Sequence, residues 1–202
     1  MIHKLFTQSL TKTLPLLLVV GGLIGLGASL ILTLEKLALL QNPDHQLSCS
    51  LNPVMSCGSI IASEQASAFG FPNPIIGLIG FTVVVTVGMG LLAGAVYKKW
   101  FWRGLQIGTL FGVVFVHWLI YQSLYSINAL CLYCMVVWAV TIPIFWYTLL
   151  FNLRTGNIKT PQKCRSSVAF ANKHHGEILV LWYLVIIAAI LERFWYYWST
   201  LI

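Results

Sequence analysis

Four long runs of this chain, 14–34, 75–96, 105–127 and 129–151, contain no Asp, Glu, Lys or Arg. A bilayer core about 30 Å thick is crossed by roughly 20 helical residues, so each run is long enough to span one. A fifth run, 178–198, is interrupted by Glu192 and Arg193. It ends in Phe194, Trp195, Tyr196, Tyr197 and Trp198, which read as an interfacial aromatic belt. With 58% hydrophobic and 8% charged residues, the chain lacks the charge that the surface of a soluble domain needs. The expectation is an all-α integral membrane protein with five spans. The first run is longer than the apolar core of a secretory signal and no convincing cleavage site follows it, so it reads as a retained anchor.

Charge orients the spans, because short loops rich in Lys and Arg stay on the cytoplasmic side. With the N-terminus inside, Lys4, Lys12, Lys98, Lys99, Arg103, Arg154, Lys159, Lys163, Arg165 and Lys173 are all cytoplasmic, leaving only Lys36 and Arg193 of the 12 basic residues elsewhere. The formal net charge of +7 is therefore a topology signal, with anionic lipid as a secondary reading. No nucleic-acid fold signature accompanies it. The implied location is the plasma or inner membrane.

This topology puts four of the five cysteines, Cys49, Cys57, Cys131 and Cys134, on the outer, oxidising side, and Cys164 in a cytoplasmic loop where thiols stay reduced. Cys49 and Cys57 lie in a polar loop with seven residues between them, whereas Cys131 and Cys134 form a CxxC. If both pairs share one side of a membrane, they suit a relay between a partner protein and a lipid-soluble carrier. Four thiolates also suit zinc, heavy-metal transport or two structural disulfides, although the wide first pair is unlike a zinc knuckle.

Local sequence brings the pairs to one place. The stretch from Cys57 to Phe69 reads as a short helix capping the bundle, closed by Gly70, with Pro53 before it and Pro72 after it. Pro74 suits the first turn of the second span. Asn128 reads as the N-cap of the fourth span, with Cys131 in its first turn and Cys134 one turn deeper on the same face. A thiolate at a helix N-terminus is stabilised by unpaired N–H groups and the helix dipole.

These residues together resemble the vitamin K epoxide reductase family, including its bacterial homologues. The resemblance spans 14–151 and rests on Cys49 and Cys57, Ser63 six residues beyond, Asn73 followed by Gly77, and the Cys131, Leu132, Tyr133, Cys134 motif. Functionally analogous DsbB-type enzymes carry their CxxC in the first outer loop, the reverse of the order here. The resemblance implies a four-helix catalytic bundle over residues 1–155, with a loop and fifth transmembrane helix over 156–202. It implies a quinone site, with menaquinone, ubiquinone or a related quinone as electron acceptor. Electrons enter at Cys49 from a reduced thioredoxin-like or DsbA-like partner, pass from Cys57 to Cys131 and leave from Cys134.

By the same resemblance Asn73 hydrogen-bonds a quinone carbonyl and Ser63 supports the loop helix or pocket. The competing roles are a turn for Asn73 and a backbone bond for Ser63. Trp138 stands where vertebrate members have a quinone-contacting tyrosine, and its indole N–H donates but cannot accept. Some bacterial members continue into a fused thioredoxin-like domain; with the chain ending at Ile202, a separate partner is expected. No resident metal is implied, and a membrane metal-binding or metal-transport protein is the alternative reading. Glycine spacings at Gly21/Gly25, Gly90/Gly94 and Gly104/Gly108/Gly112 are those of closely approaching spans. Gln106, His117 and Gln122 are polar groups of the third span that suit either a proton or quinone path or interhelical bonds.

Overall fold

The computed structural model describes residues 2–42, 45, 47, 49 and 54–199; Pro53 lies outside them, as do the side chains of residues 2–11. Helices dominate: α1 (Ile2–Gln41), α2 (Cys57–Ala62), α3 (Pro74–Leu92), α4 (Lys99–Tyr121), α5 (Leu132–Arg154), α6 (Arg165–Lys173), α7 (His175–Arg193) and α8 (Trp195–Trp198). Five segments are long and apolar enough to cross a membrane: Lys12–Gln41, Pro74–Leu92, Lys99–Ile127, Leu132–Arg154 and His175–Arg193. The chain is a multi-pass, all-α membrane protein.

In the bundle α1 lies between α3 and α5, and α5 packs on α4, so the order around it is α3, α1, α5, α4. Close approach of α1 and α3 depends on small residues. A Cβ at Gly25 would sit 2.5 Å from the Phe81 ring, and one at Gly77 would run into the Ser29 side chain. Gly21 faces Ile144 of α5 at contact distance. The third glycine stripe behaves differently. A Cβ at Gly104 or Gly108 meets nothing within 4 Å, because these residues line an opening between α3 and α4 instead of a helix contact. Gly94, at φ 86°, ends α3: its N–H donates to Leu91 O at 3.1 Å and the next N–H, of Ala95, donates to Gly90 O at 2.9 Å. Such a paired left-handed stop needs a residue without a Cβ.

The expected capping helix is present but broken. Ser56 caps α2, whose Ser59 N–H donates to Ser56 Oγ at 3.4 Å. Ser63 is extended, its hydroxyl donating to Ile60 O at 2.7 Å, and a separate 3-10 turn covers Glu64–Ser67 before Gly70 closes the segment at φ 81°. A serine hydroxyl offers a local bond that competes with helix continuation. Lys36, from the last turns of α1, donates to Ile61 O at 2.7 Å and so satisfies a carbonyl at the C-terminus of α2.

Helix α7 docks across α4 and α5 through hydrogen bonds between otherwise apolar surfaces. Pro143 inside α5 has no N–H to bond Ala139 O, and the Tyr183 hydroxyl of α7 donates to that carbonyl at 2.6 Å. The Trp146 indole N–H donates to His175 O at 3.0 Å. His117 Nδ1 lies 2.7 Å from Val113 O, which only accepts, so Nδ1 carries the proton; Nε2 then accepts from Trp182 Nε1 at 2.9 Å. Both ring nitrogens of His117 are thereby used, Nδ1 within α4 and Nε2 in a tie to α7. Gln106 accepts from Asn152 Nδ2 at 3.1 Å, and Asn152 Oδ1 accepts from Asn157 Nδ2 at 3.0 Å, in a buried network at the end of the bundle opposite the cysteine pairs.

Candidate functional site

Among the described residues, one backbone contact brings the two cysteine pairs together. Met55 and Leu130 form an isolated parallel bridge, with Leu130 N–H donating to Val54 O at 2.8 Å. Before it, α4 ends in a π-helical turn, Gln122–Ile127, and Asn128 takes the left-handed conformation at φ 57°. The Ala129 N–H donates to Ser123 O at 3.2 Å, and the Ser123 hydroxyl donates back to Ala129 O at 2.5 Å. Cys131, extended, is itself the N-cap residue of α5. The expected Asn128 cap is therefore corrected: Asn128 ends the preceding helix, and α5 begins three residues later than that cap requires. Tertiary pairing of Leu130 with Val54 demands extended backbone where a helix starting at Asn128 would have continued. Cys134 falls in the first turn of α5.

Cys49 and Cys57 are joined as a disulfide, with Cα atoms 5.7 Å apart, while Cys131 and Cys134 are free. Cys131 Sγ lies 3.1 Å from Cys57 Sγ, and the sulfurs of Cys49, Cys57 and Cys131 are all within 4.8 Å of one another. A sulfur–sulfur bond is about 2.05 Å long, so roughly 1 Å of movement would join Cys57 to Cys131. These three residues are buried with Leu32 and Ile61. The Cys134 thiol, by hydrogen bonding, holds Cys131 below the ordinary thiol pKa, against the opposing effect of burial. Cys164 is exposed in the segment between α5 and α6, apart from this cluster.

Cys134 is also on the wall of a cavity of about 640 Å³ bounded by α1, α3, α4 and α5 and roofed by α2 and the following turn. Its lining is overwhelmingly apolar, running from Ile60, Ile61 and Cys134 at the roof to Trp100, Phe101 and Gly104. Ser63, Asn73, Gln122 and Trp138 are among the lining residues that carry polar atoms, whereas Gln106 and His117 are not in the lining. Asn73 is largely committed to the roof: its Nδ2 donates to Gln65 O at 2.7 Å and its Oδ1 accepts from Ala68 N–H at 3.0 Å. One amide hydrogen of Asn73 remains. Ser63 Oγ bonds backbone, as described above. The Trp138 indole N–H, one turn beyond Cys134, is buried and has no hydrogen-bond partner among the described residues.

Sequence reasoning did not single out Val54, Leu130 and Ser123, which set the register of the CxxC, or the bonds that Arg193 makes. Arg193 Nε donates to Leu124 O at 2.8 Å and Nη2 donates to Asn128 Oδ1. In the sequence, Arg193 registered as a flaw in the fifth span and as one of two basic residues outside the cytoplasmic segments.

A buried disulfide in contact with one thiol of a CxxC, inside a helical membrane bundle, is the equipment of a membrane thiol–disulfide oxidoreductase. Residues 16–149 match the family model described as the vitamin K epoxide reductase family, and the chain belongs to that family. Comparison with curated proteins gives no match.

Proposed function

We propose that this protein is a quinone-dependent, disulfide-forming enzyme acting on exported proteins. The observation that carries the reading is the 3.1 Å approach of Cys131 to Cys57, with Cys134 continuing the line to the cavity wall. A thiolate of a reduced thioredoxin-like or DsbA-like partner attacks Cys49 of the Cys49–Cys57 disulfide and releases Cys57. The second partner thiol then closes the partner's own disulfide and frees Cys49. Cys57 next attacks Cys131 of an oxidised CxxC, releasing Cys134, and Cys49 attacks Cys57, releasing Cys131. This returns the arrangement described above, with the loop pair oxidised and the CxxC reduced. Two electrons and two protons from Cys131 and Cys134 then convert quinone to quinol as the CxxC disulfide re-forms. Exchange of this kind requires only access and matched thiol pKa values.

The apolar cavity suits a quinone, with its ring near Cys134 and its prenyl chain along Gly104 and Gly108. Trp138 and Asn73 both line the cavity, and the unpartnered indole N–H of the one and the remaining amide hydrogen of the other are the candidate donors to a quinone carbonyl. Ser63 supports the roof. Lys98, Lys99, Arg103, Arg154, Lys159, Lys163, Arg165 and Lys173 lie at or between helix ends opposite the cysteine pairs, which supports the cysteine end facing outward. The metal alternative is weaker, because the disulfide occupies two of the three clustered sulfurs and Cys134 is outside the cluster.

The test uses the purified full chain with a reduced thioredoxin-like protein and either menaquinone or ubiquinone. Loss of quinone absorbance, stoichiometric with partner disulfide and absent in Cys131→Ser, supports the proposal. Stoichiometric zinc retained by the reduced protein, without quinone turnover, would establish the metal reading instead.

A further inference from the structure

The family match ends at residue 149, but the structure ties the fifth helix to the segment that presents the CxxC. Arg193, the last residue of α7, reaches the turn between α4 and α5 at two points. One is the carbonyl of Leu124, inside the π-helical turn; the other is Oδ1 of Asn128, the left-handed residue that ends it. The guanidinium also lies 6.0 Å from the Tyr125 ring centre. A rigid planar fork with several donors holds two acceptors at a fixed separation, which a lysine ammonium does not.

Phe194 adds an apolar lock beside the fork. It is fully buried in a cluster with Val54, Leu124, Leu130 and Trp138. Val54 and Leu130 are the two residues joined by the hydrogen bond that sets the CxxC beside the loop disulfide. The fifth helix thus holds the turn from behind, and the turn sets where Cys131 emerges. Residues 124 and 128 precede Cys131 by only seven and three positions, so a shift in the turn passes directly into the Cys57–Cys131 distance.

We infer that Arg193, with Phe194 behind it, is a positioning residue for Cys131, making the fifth helix part of the catalytic unit. The inference rests on the relay reading given above. Its predicted signature is slower exchange between the cysteine pairs with the quinone site unchanged. A misplacement near 1 Å costs on the order of 100-fold in a reaction that depends on alignment.

The test follows Cys57–Cys131 disulfide formation in a Cys134→Ser background, where the bond has no resolving thiol, together with kcat and KM for quinone in the otherwise intact protein. Arg193→Ala should slow crosslinking and lower kcat at least tenfold, with KM for quinone within about twofold of the parent. Arg193→Lys should restore only part of the rate. Asn128→Gly keeps the left-handed turn but removes one acceptor, and should lie between Arg193→Ala and the parent. Tyr183→Phe removes a different bond between α7 and the bundle and should leave both rates unchanged.

Crosslinking and kcat at parental levels in both Arg193→Ala and Asn128→Gly would overturn the inference. So would an equal loss in Tyr183→Phe, which would reduce Arg193 to general docking of the fifth helix. If the Cys134→Ser protein with Arg193 intact forms no Cys57–Cys131 bond, the relay reading itself fails, and the inference falls with it.

Discussion

Two glycines one methyl group away from opposite outcomes give a quantitative test of the cavity. At Gly25 an added Cβ would lie 2.5 to 2.7 Å from three carbons of the Phe81 ring, which packs with Leu14, Leu18, Val84 and Val87 and also borders the cavity. Overpacking of this kind costs about 1–3 kcal/mol. The better helix propensity of alanine offsets about 1 kcal/mol, leaving a net loss of about 0–2 kcal/mol for Gly25→Ala. At Gly108 the added Cβ meets nothing within 4 Å, so Gly108→Ala should be neutral or slightly stabilising. Gly108→Leu should also fold, since its side chain extends into the 640 Å³ cavity, but it takes space assigned to the quinone chain. If the ligand bears a 1–3 kcal/mol packing penalty, KM for a long-tailed quinone rises about 5- to 150-fold, and that for a tailless quinone far less. Thermal unfolding in detergent and steady-state kinetics with the two quinones read these effects. Equal destabilisation by the two alanine variants, or parental kinetics with the long-tailed quinone in Gly108→Leu, would refute the placement of the cavity between α3 and α4.

Two other expectations follow from the site. Because the Cys134 thiol lowers the pKa of Cys131, Cys134→Ala should move the pH profile of Cys57–Cys131 exchange to higher pH, while Cys134→Ser, which keeps a donor, should move it less; coincident profiles would show that the hydrogen bond does not tune the thiolate. Trp138→Phe removes one neutral hydrogen bond, about 0.5–1.5 kcal/mol, so KM for quinone should rise about two- to tenfold with partner thiol exchange unchanged. Loss of both half-reactions together would mark Trp138 as packing alone.

The spans were legible because four are unbroken apolar runs and the fifth is interrupted only near its end, by Glu192 and Arg193, and a bilayer leaves few alternatives to a helix for such a run. The separation of Cys164 from the other cysteines followed from the same pattern. What sequence missed depends on tertiary contact. Asparagine serves both as a helix N-cap and as a left-handed terminator, and only pairing of Leu130 with Val54 decides between them at Asn128. Glycine spacing identified narrow helix faces, but a narrow face also borders an open cavity, as at Gly104 and Gly108. His117 and Gln106 carried the same polarity signal as Gln122, yet only Gln122 lines the cavity. Arg193 interrupted a hydropathy pattern, and its two acceptors are more than 60 residues away in sequence.

The most direct test of the relay is the identity of the disulfide that accumulates when its last step is blocked. In the Cys134→Ser protein, peptides from the non-reduced chain should contain a Cys57–Cys131 crosslink as the main product, because these sulfurs are 3.1 Å apart, with Cys49 released as a free thiol. A dominant Cys49–Cys131 crosslink would reverse the order of the loop cysteines. An intact Cys49–Cys57 bond beside an unreacted Cys131 would contradict electron transfer between the two pairs.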